Sequence, residues 1–297
     1  MQKIIPFFWF EKDADKAVDF YTSIFKNSKI GKSAYYNEEG AKVSGQPEGS
    51  LMTLDFELEG YQFMALNGGP GFPMSPAISF YVGFDTPEEL DEVWNKLIDG
   101  GFAMMELGEY PFSKKYGWLQ DKYGVTWQLY CGESKQRIVP SFLFVKEQCG
   151  RAEEAMNFYT SLFENSEIRV TARYPEGGAD KAGTIMHGAF TLAGQHFTAM
   201  DSALDHKFTF PSAISFMVNC DTQEEIDHFW DAFSKEGKTE QCGWLKDKFG
   251  VSWQIVPSNQ EEISNSDDKA ANDRVIHAMF DMVKLDKAKL EAAFRGE

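Results

Sequence analysis

Cysteine is scarce: Cys131, Cys149, Cys220 and Cys242 are four residues in a chain of 297. None of them forms a C-x-x-C pair, which excludes a disulfide framework and leaves free thiols in a reducing compartment as the expectation. Positive charge is scarce too. The 29 Lys and Arg stand against 46 Asp and Glu, a formal net charge of −17 that repels phosphate backbones and anionic lipid, so neither nucleic acid nor membrane is expected as a partner. No apolar run approaches the roughly 20 residues that span a bilayer. Residues 1–10 run straight into the charged stretch 11–16 with no basic segment leading an apolar one, so secretion is not expected and a cytoplasmic location is. What the chain has in quantity is apolar and aromatic carbon. Its 43% hydrophobic content, 26 Phe and 7 Trp are too rich for a disordered chain, and its length argues for two globular domains.

The two halves repeat one another. Phe20-Tyr21-Thr22-Ser23-Ile24-Phe25 returns 138 positions on as Phe158-Tyr159-Thr160-Ser161-Leu162-Phe163, and Ala77-Ile78-Ser79-Phe80 returns 136 positions on as Ala213-Ile214-Ser215-Phe216. Gly117-Trp118-Leu119-Gln120-Asp121-Lys122-Tyr123-Gly124-Val125-Thr126-Trp127-Gln128 matches Gly243-Trp244-Leu245-Lys246-Asp247-Lys248-Phe249-Gly250-Val251-Ser252-Trp253-Gln254, now only 126 positions on. One unit has therefore been duplicated. The first copy carries about ten extra residues between Gly101 and Gly117, including Tyr110-Pro111-Phe112-Ser113, which are expected to form a surface loop near the opening of any pocket.

Inside each copy the hydrophobic period alternates between strand and helix. Residues 4–10 are apolar and aromatic, hence a buried strand, and Asp13 then stands at the cap of a helix with Ala17, Tyr21 and Ile24 on its core face. Glu59-Gly60 and Ala193-Gly194 are two-residue hairpin loops. Thr86-Pro87-Glu88-Glu89 and Thr222-Gln223-Glu224-Glu225 are capping boxes. The order is strand, helix, three strands, twice per copy, giving four units near 4–67, 77–131, 138–201 and 211–256. The copies span 1–132 and 138–257, joined by a short polar stretch at 132–137. Residues 258–273 are polar and predict a linker, and 274–295 carry a helical pattern interrupted near Lys284-Leu285-Asp286. That amphipathic tail of 258–297 is expected to dock on its own body, or alternatively to bridge a homodimer.

Paired strand-helix-three-strand units resemble the vicinal oxygen chelate superfamily, the glyoxalase and bleomycin-resistance fold. The paired Gly-Trp-Leu … Trp-Gln segments and Phe20-Tyr21 resemble, more narrowly, its PhnB-like group, labelled 3-demethylubiquinone-9 3-methyltransferase. The resemblance covers about 1–257. It implies an α+β protein of two tandem glyoxalase-like domains, each made of paired βαβββ units, whose sheets curl into cups that hold a small ligand, often over a divalent metal. It also implies that the halves form within one chain the pairing shorter relatives reach as dimers. The methyltransferase label fits the residues poorly: an adenosyl donor usually calls for a glycine-rich turn after a parallel strand, whereas Gly68-Gly69-Pro70-Gly71 reads as a connector.

The superfamily's metal ligands are His or Gln on a unit's first strand and Glu on its last. Here those positions fall near Pro6, Pro140, Ala77 and Ala213, and Gln128 and Gln254 stand in place of Glu, so no metal is expected there. The alternative is a divalent metal in the second domain held through His187 and His196. Strand alternation assigns Phe8, Phe10, Thr53, Asp55, Met64, Ser79, Tyr81 and Gln128 to a first cup, and Phe142, Phe144, His187, Thr198, Ser215, Met217 and Gln254 to a second. Asp55, as a buried base, His187 and Cys242 are the candidates for chemistry. The functional expectation is a small-molecule binder or a metal-independent enzyme. The alternatives are a metal-dependent lyase, isomerase or dioxygenase, and a drug-sequestering protein whose acidity favours cationic ligands.

Overall fold

The computed structural model describes residues 2–132, 136–266 and 268–297; the predicted joint at 132–137 lies partly outside them. The first unit is β1 (Ile4–Phe10), α1 (Ala14–Ile24), β2 (Lys29–Tyr35), α2 (Glu38–Ser44), β3 (Leu51–Leu58) and β4 (Tyr61–Asn67). The second is β5 (Ile78–Phe84), α3 (Pro87–Leu97), β6 (Phe102–Tyr110), β7 (Ser113–Gln120) and β8 (Thr126–Cys131). The third is β9 (Ile138–Phe144), α4 (Ala152–Leu162), β10 (Glu167–Arg173), β11 (Ile185–Leu192) and β12 (Gln195–Asp201). The fourth is β13 (Ile214–Cys220), α5 (Gln223–Ser234), β14 (Lys238–Thr239), β15 (Trp244–Lys246) and β16 (Ser252–Pro257), and a tail of α6 (Gln260–Ser264), α7 (Lys269–Phe280) and α8 (Lys287–Arg295) follows. Among the described residues no helix is long and apolar enough to cross a membrane.

Local chemistry accounts for the elements. Thr86 and Thr222 accept from the backbone N–H of Glu89 and Glu225 at 3.2 and 3.3 Å, closing the predicted caps. Both hairpin loops have positive φ at both residues, the twist that two-residue turns require. Asp13 occupies the cap of α1 without bonding there; Asn67 at the end of β4 accepts from Ala14 N at 2.8 Å instead. The extra residues of the first copy lengthen the β6–β7 hairpin rather than forming a separate loop, with Tyr110, Phe112 and Tyr116 packed at its turn.

The sheets join the copies crosswise. One runs β14-β15-β16-β13-β1-β4-β3-β2 and the other β10-β11-β12-β9-β5-β8-β7-β6. Unit one therefore pairs with unit four through β1 against β13, and unit two with unit three through β5 against β9. The expected cups, each built within one copy, are corrected accordingly: every cup takes one wall from each copy. The opposite faces of the two sheets meet in a shared core, where Phe8 lies 5.4 Å edge-on from Phe80 and Phe142 lies 5.1 Å from Phe216.

The repeated Asp-Lys-aromatic-Gly-Val turn is a structural clasp. Asp247 accepts from Phe249 N and Val251 N through Oδ1, and from Tyr159 Oη at 2.6 Å and Trp253 Nε1 at 2.9 Å through Oδ2. Asp121 makes the matching bonds to Tyr123 N, Val125 N and Trp127 Nε1. Trp127 and Trp253 are wholly buried, so of the repeated Trp-Gln pair the tryptophan fixes the core and the glutamine faces the cup.

Candidate functional site

Strand register sets out what each cup presents. Across the first cup Asp55, Met64, Phe7, Ser215 and Ser252 stand side by side in one ladder row. The next row holds Ile5, Met217, Gln254 and Trp244. The second cup's rows are Ala189, Thr198, Ser141 and Ser79, then Val139, Tyr81, Gln128 and Trp118. Both cups keep the same amide–hydroxyl pair at the base, Gln254 Nε2 donating to Ser215 Oγ at 3.0 Å and Gln128 Nε2 to Ser79 Oγ at 2.7 Å.

They differ in what fills them. In the second cup Tyr116 Oη donates to Gln128 Oε1, and the Tyr81 ring packs between Tyr116 and His187. In the first cup the matching positions carry Cys242 and Met217, and the space left is a cavity of about 870 Å³. Its aromatic wall is Phe7, Trp9, Phe72 and Trp244, with Trp9 at 4.8 Å from Phe72 and 6.0 Å from Trp244. Gly68, expected to be a mere connector, leaves room for that wall: a Cβ there would lie 2.2 Å from the Trp9 ring.

The tail roofs this cavity. Asn265 Nδ2 donates to Ser33 O on β2 at 3.1 Å, and Cys242 N and Gly243 N donate to the carbonyls of Met282 and Val283. Val256, Ile263, Val275, Leu285 and Leu290 bury together beneath. The tail thus joins the sheet's two rims and docks on its own chain, and α6 and the start of α7 occupy what the composition alone predicts to be linker.

The roof brings Glu261 of α6 beside Asp55 of β3. Burial and the neighbouring Glu261 carboxyl push Asp55 up to about 7. Lys32 Nζ pairs with Glu261 Oε1 at 3.4 Å, yet that oxygen is buried and no hydrogen bond reaches it among the described residues. Asp55 therefore keeps its proton up to near neutrality, with the Glu261 carboxyl beside it. Ser252 Oγ, on the opposite wall, is likewise buried and unpartnered among the described residues.

Of the residues expected to line a cup, Thr53, Asp55, Met64, Met217 and Gln254 line this cavity, Ser215 anchors Gln254 at its base, and Cys242, a candidate for chemistry, lines it too. Ser79, Tyr81, Gln128, His187 and Thr198 belong to the other cup. Phe8, Phe10, Phe142 and Phe144 do not reach either: they point into the shared core, and their neighbours Phe7 and Trp9 face the cavity instead. A strand that is aromatic on both faces carries no alternation to decide between them. His187 and His196, the pair that would share a metal, stay apart: the hairpin register separates them by four residues along the ladder, about 14 Å at 3.4 Å per residue. Burial raises the Cys242 thiol to about 11, which suits an inert thiol rather than a nucleophile.

The sequence profile of the family described as 3-demethylubiquinone-9 3-methyltransferase matches residues 2–130 and again 136–256. The chain belongs to this family, twice over. Each copy of the family unit supplies one wall to each cup. A Bacillus cereus protein described as a putative 3-demethylubiquinone-9 3-methyltransferase, PhnB protein, is 44% identical over 44% of this chain and 100% of its own, with a TM-score of 0.41. Glyoxalase I from Zea mays shares the fold at 10% identity, covering 86% of this chain and 91% of its own with a TM-score of 0.54. No curated protein matches the sequence. The chain thus carries the family unit in tandem on a glyoxalase-like fold.

The metal that the resemblance implies finds a poor donor set at the base of the first cup. Among the described residues no three His, Cys, Asp or Glu side chains stand together as a cation site. The first cup's base offers a carboxamide, two hydroxyls, a thioether and a phenyl ring, weak partners for a hard ion.

Proposed function

We propose that this protein binds a small organic molecule in the first cup by direct contact. The observation that carries the reading is the cavity of about 870 Å³, a size and an aromatic lining typical of small-molecule sites. Ser252, Gln254, Thr53 and Asp55 supply the few polar anchors that fix orientation. The site is complete within one chain, with both rims and the roof from the same polypeptide, so it does not require a homodimer. Four free cysteines accord with residence in the cytoplasm. The second cup, plugged by Tyr81 and Tyr116, serves as scaffold.

The family's methyltransferase description supports this chain's activity less well than binding does. Gly68 packs against Trp9, and no helix begins at the Gly68–Gly71 cluster to cradle a donor's charged groups. N-phenyl-1-naphthylamine, a neutral apolar fluorophore, tests the proposal. Saturable one-to-one uptake is expected, quenching Trp9 and Trp244, and Met64→Trp should abolish it by filling the cavity. No saturable uptake, or uptake that Met64→Trp leaves unchanged, would sink it.

A further inference from the structure

We infer that the first cup takes an organic monocation, an ammonium or amidinium on an apolar body, whose N–H groups lodge between Asp55 and Glu261 while the body lies against Trp9 and Trp244. This rests on the pocket reading above and names the ligand class for it. The charged residues lining the cavity are Lys29, Lys32, Asp55, Glu57, Glu240 and Glu261, two lysines against four carboxylates. Lys29 is spent on Glu57 at 3.0 Å, and Lys32 serves Glu261 from the exposed side. One negative charge at the Asp55–Glu261 pair is left without a counter-ion from the protein, and Glu240 adds a second at the rim.

Without a ligand the site meets this excess by keeping a proton on Asp55. A ligand N–H on a cationic nitrogen does the same work with a fixed charge. It also gives Glu261 Oε1, a buried oxygen that Lys32 approaches at 3.4 Å without a hydrogen bond, a donor at bonding distance. A second polar atom points the same way: Ser252 is 2% exposed, its Oγ has no partner among the described residues, and it lines the cavity in the row that begins at Asp55. Across the cup Trp9 and Trp244 line the cavity and give the ligand's apolar body an aromatic wall. The second cup supplies the contrast. Ala189 stands at the position of Asp55 and Tyr116 at that of Cys242, so the acid and the open space were acquired or kept together.

Binding a cation must expel the Asp55 proton, and the groups that face Asp55 are Glu261, Lys32 and, further along the cavity lining, Lys29, Glu57 and Glu240. Affinity should therefore fall as pH drops from 8 to 5. The test titrates the full-length protein calorimetrically with three probes of one shape: 2-(1-naphthyl)ethylamine, 2-(1-naphthyl)ethanol and 1-naphthylacetate. At pH 8 the amine is expected to bind at least 30-fold more tightly than the alcohol, and the acid not at all. At pH 6, buffers of different ionisation heat should report release of up to one proton. Asp55→Asn and Glu261→Gln, each checked for an intact melt, should each cost the amine tenfold or more, whereas Asp205→Asn on a distant exposed loop should not. Equal affinity for amine and alcohol would overturn the cation class and leave the pocket reading standing. Failure of all three probes would overturn both.

Discussion

Replacing Asp55 by Asn should make the unliganded protein more stable above neutral pH. In the folded chain this carboxyl keeps its proton up to about 7, against 3.8 for the free side chain. The folded state therefore binds more protons than the unfolded state between about pH 4 and 7, and stability from this group falls as pH rises through that window. At 1.36 kcal/mol per pH unit the ceiling on the loss is about 4 kcal/mol. Asp55 is only partly buried, and Lys32 lies beside the pair, so screening brings the expected figure to about 2 kcal/mol. Asn has no charge to acquire, so the variant should match the wild type near pH 4 and exceed it by about 2 kcal/mol at pH 8, about 4 °C in Tm for a chain of this size. Urea unfolding at several pH values measures this directly. Parallel curves for the two proteins, or an Asp55→Asn variant less stable at pH 8, would refute the account of Asp55 keeping its proton beside Glu261.

Asp247→Asn should cost about 3 kcal/mol in urea unfolding, because the amide keeps one acceptor oxygen but turns an NH2 toward two of the four donors that now converge on the carboxylate; a change under 1 kcal/mol would show that the clasp is dispensable. Leu290→Ala removes a fully buried side chain from beneath the roof and should cost about 2–4 kcal/mol of the tail's docking. Hydrogen exchange should then speed up across 260–295 while β1 and β13 stay protected, and uniform acceleration through the whole chain would count against a separately docked roof.

Much of this was legible from the residues. The duplication, the capping boxes at Thr86 and Thr222, the turn at Glu59-Gly60 and the His187–His196 spacing all follow from short-range pattern, and the structure keeps them. The pairing of unit one with unit four was not legible, because every unit's first strand is equally able to accept either neighbour and only the completed three-dimensional arrangement chooses. Phe7 and Trp9 were missed for Phe8 and Phe10 because β1 is apolar on both faces. Glu261 was missed for a different reason: it lies in a stretch whose composition predicts a linker, 206 positions from the Asp55 it meets, and no local signal links a polar segment to a strand so distant. Gln254 and Asp55 were found because a polar side chain alternating with buried apolar ones is conspicuous.

Crosswise pairing also has a consequence for synthesis. β1 emerges first and finds β4 on one side within 70 residues, but its other edge must wait for β13, which begins at Ile214. At ribosomal speeds of 5–20 residues per second that delay is about 10–40 s. Throughout it, one edge of an aromatic strand stands open to other nascent chains, so slowing translation between β4 and β13 is expected to raise aggregation of the unfinished chain.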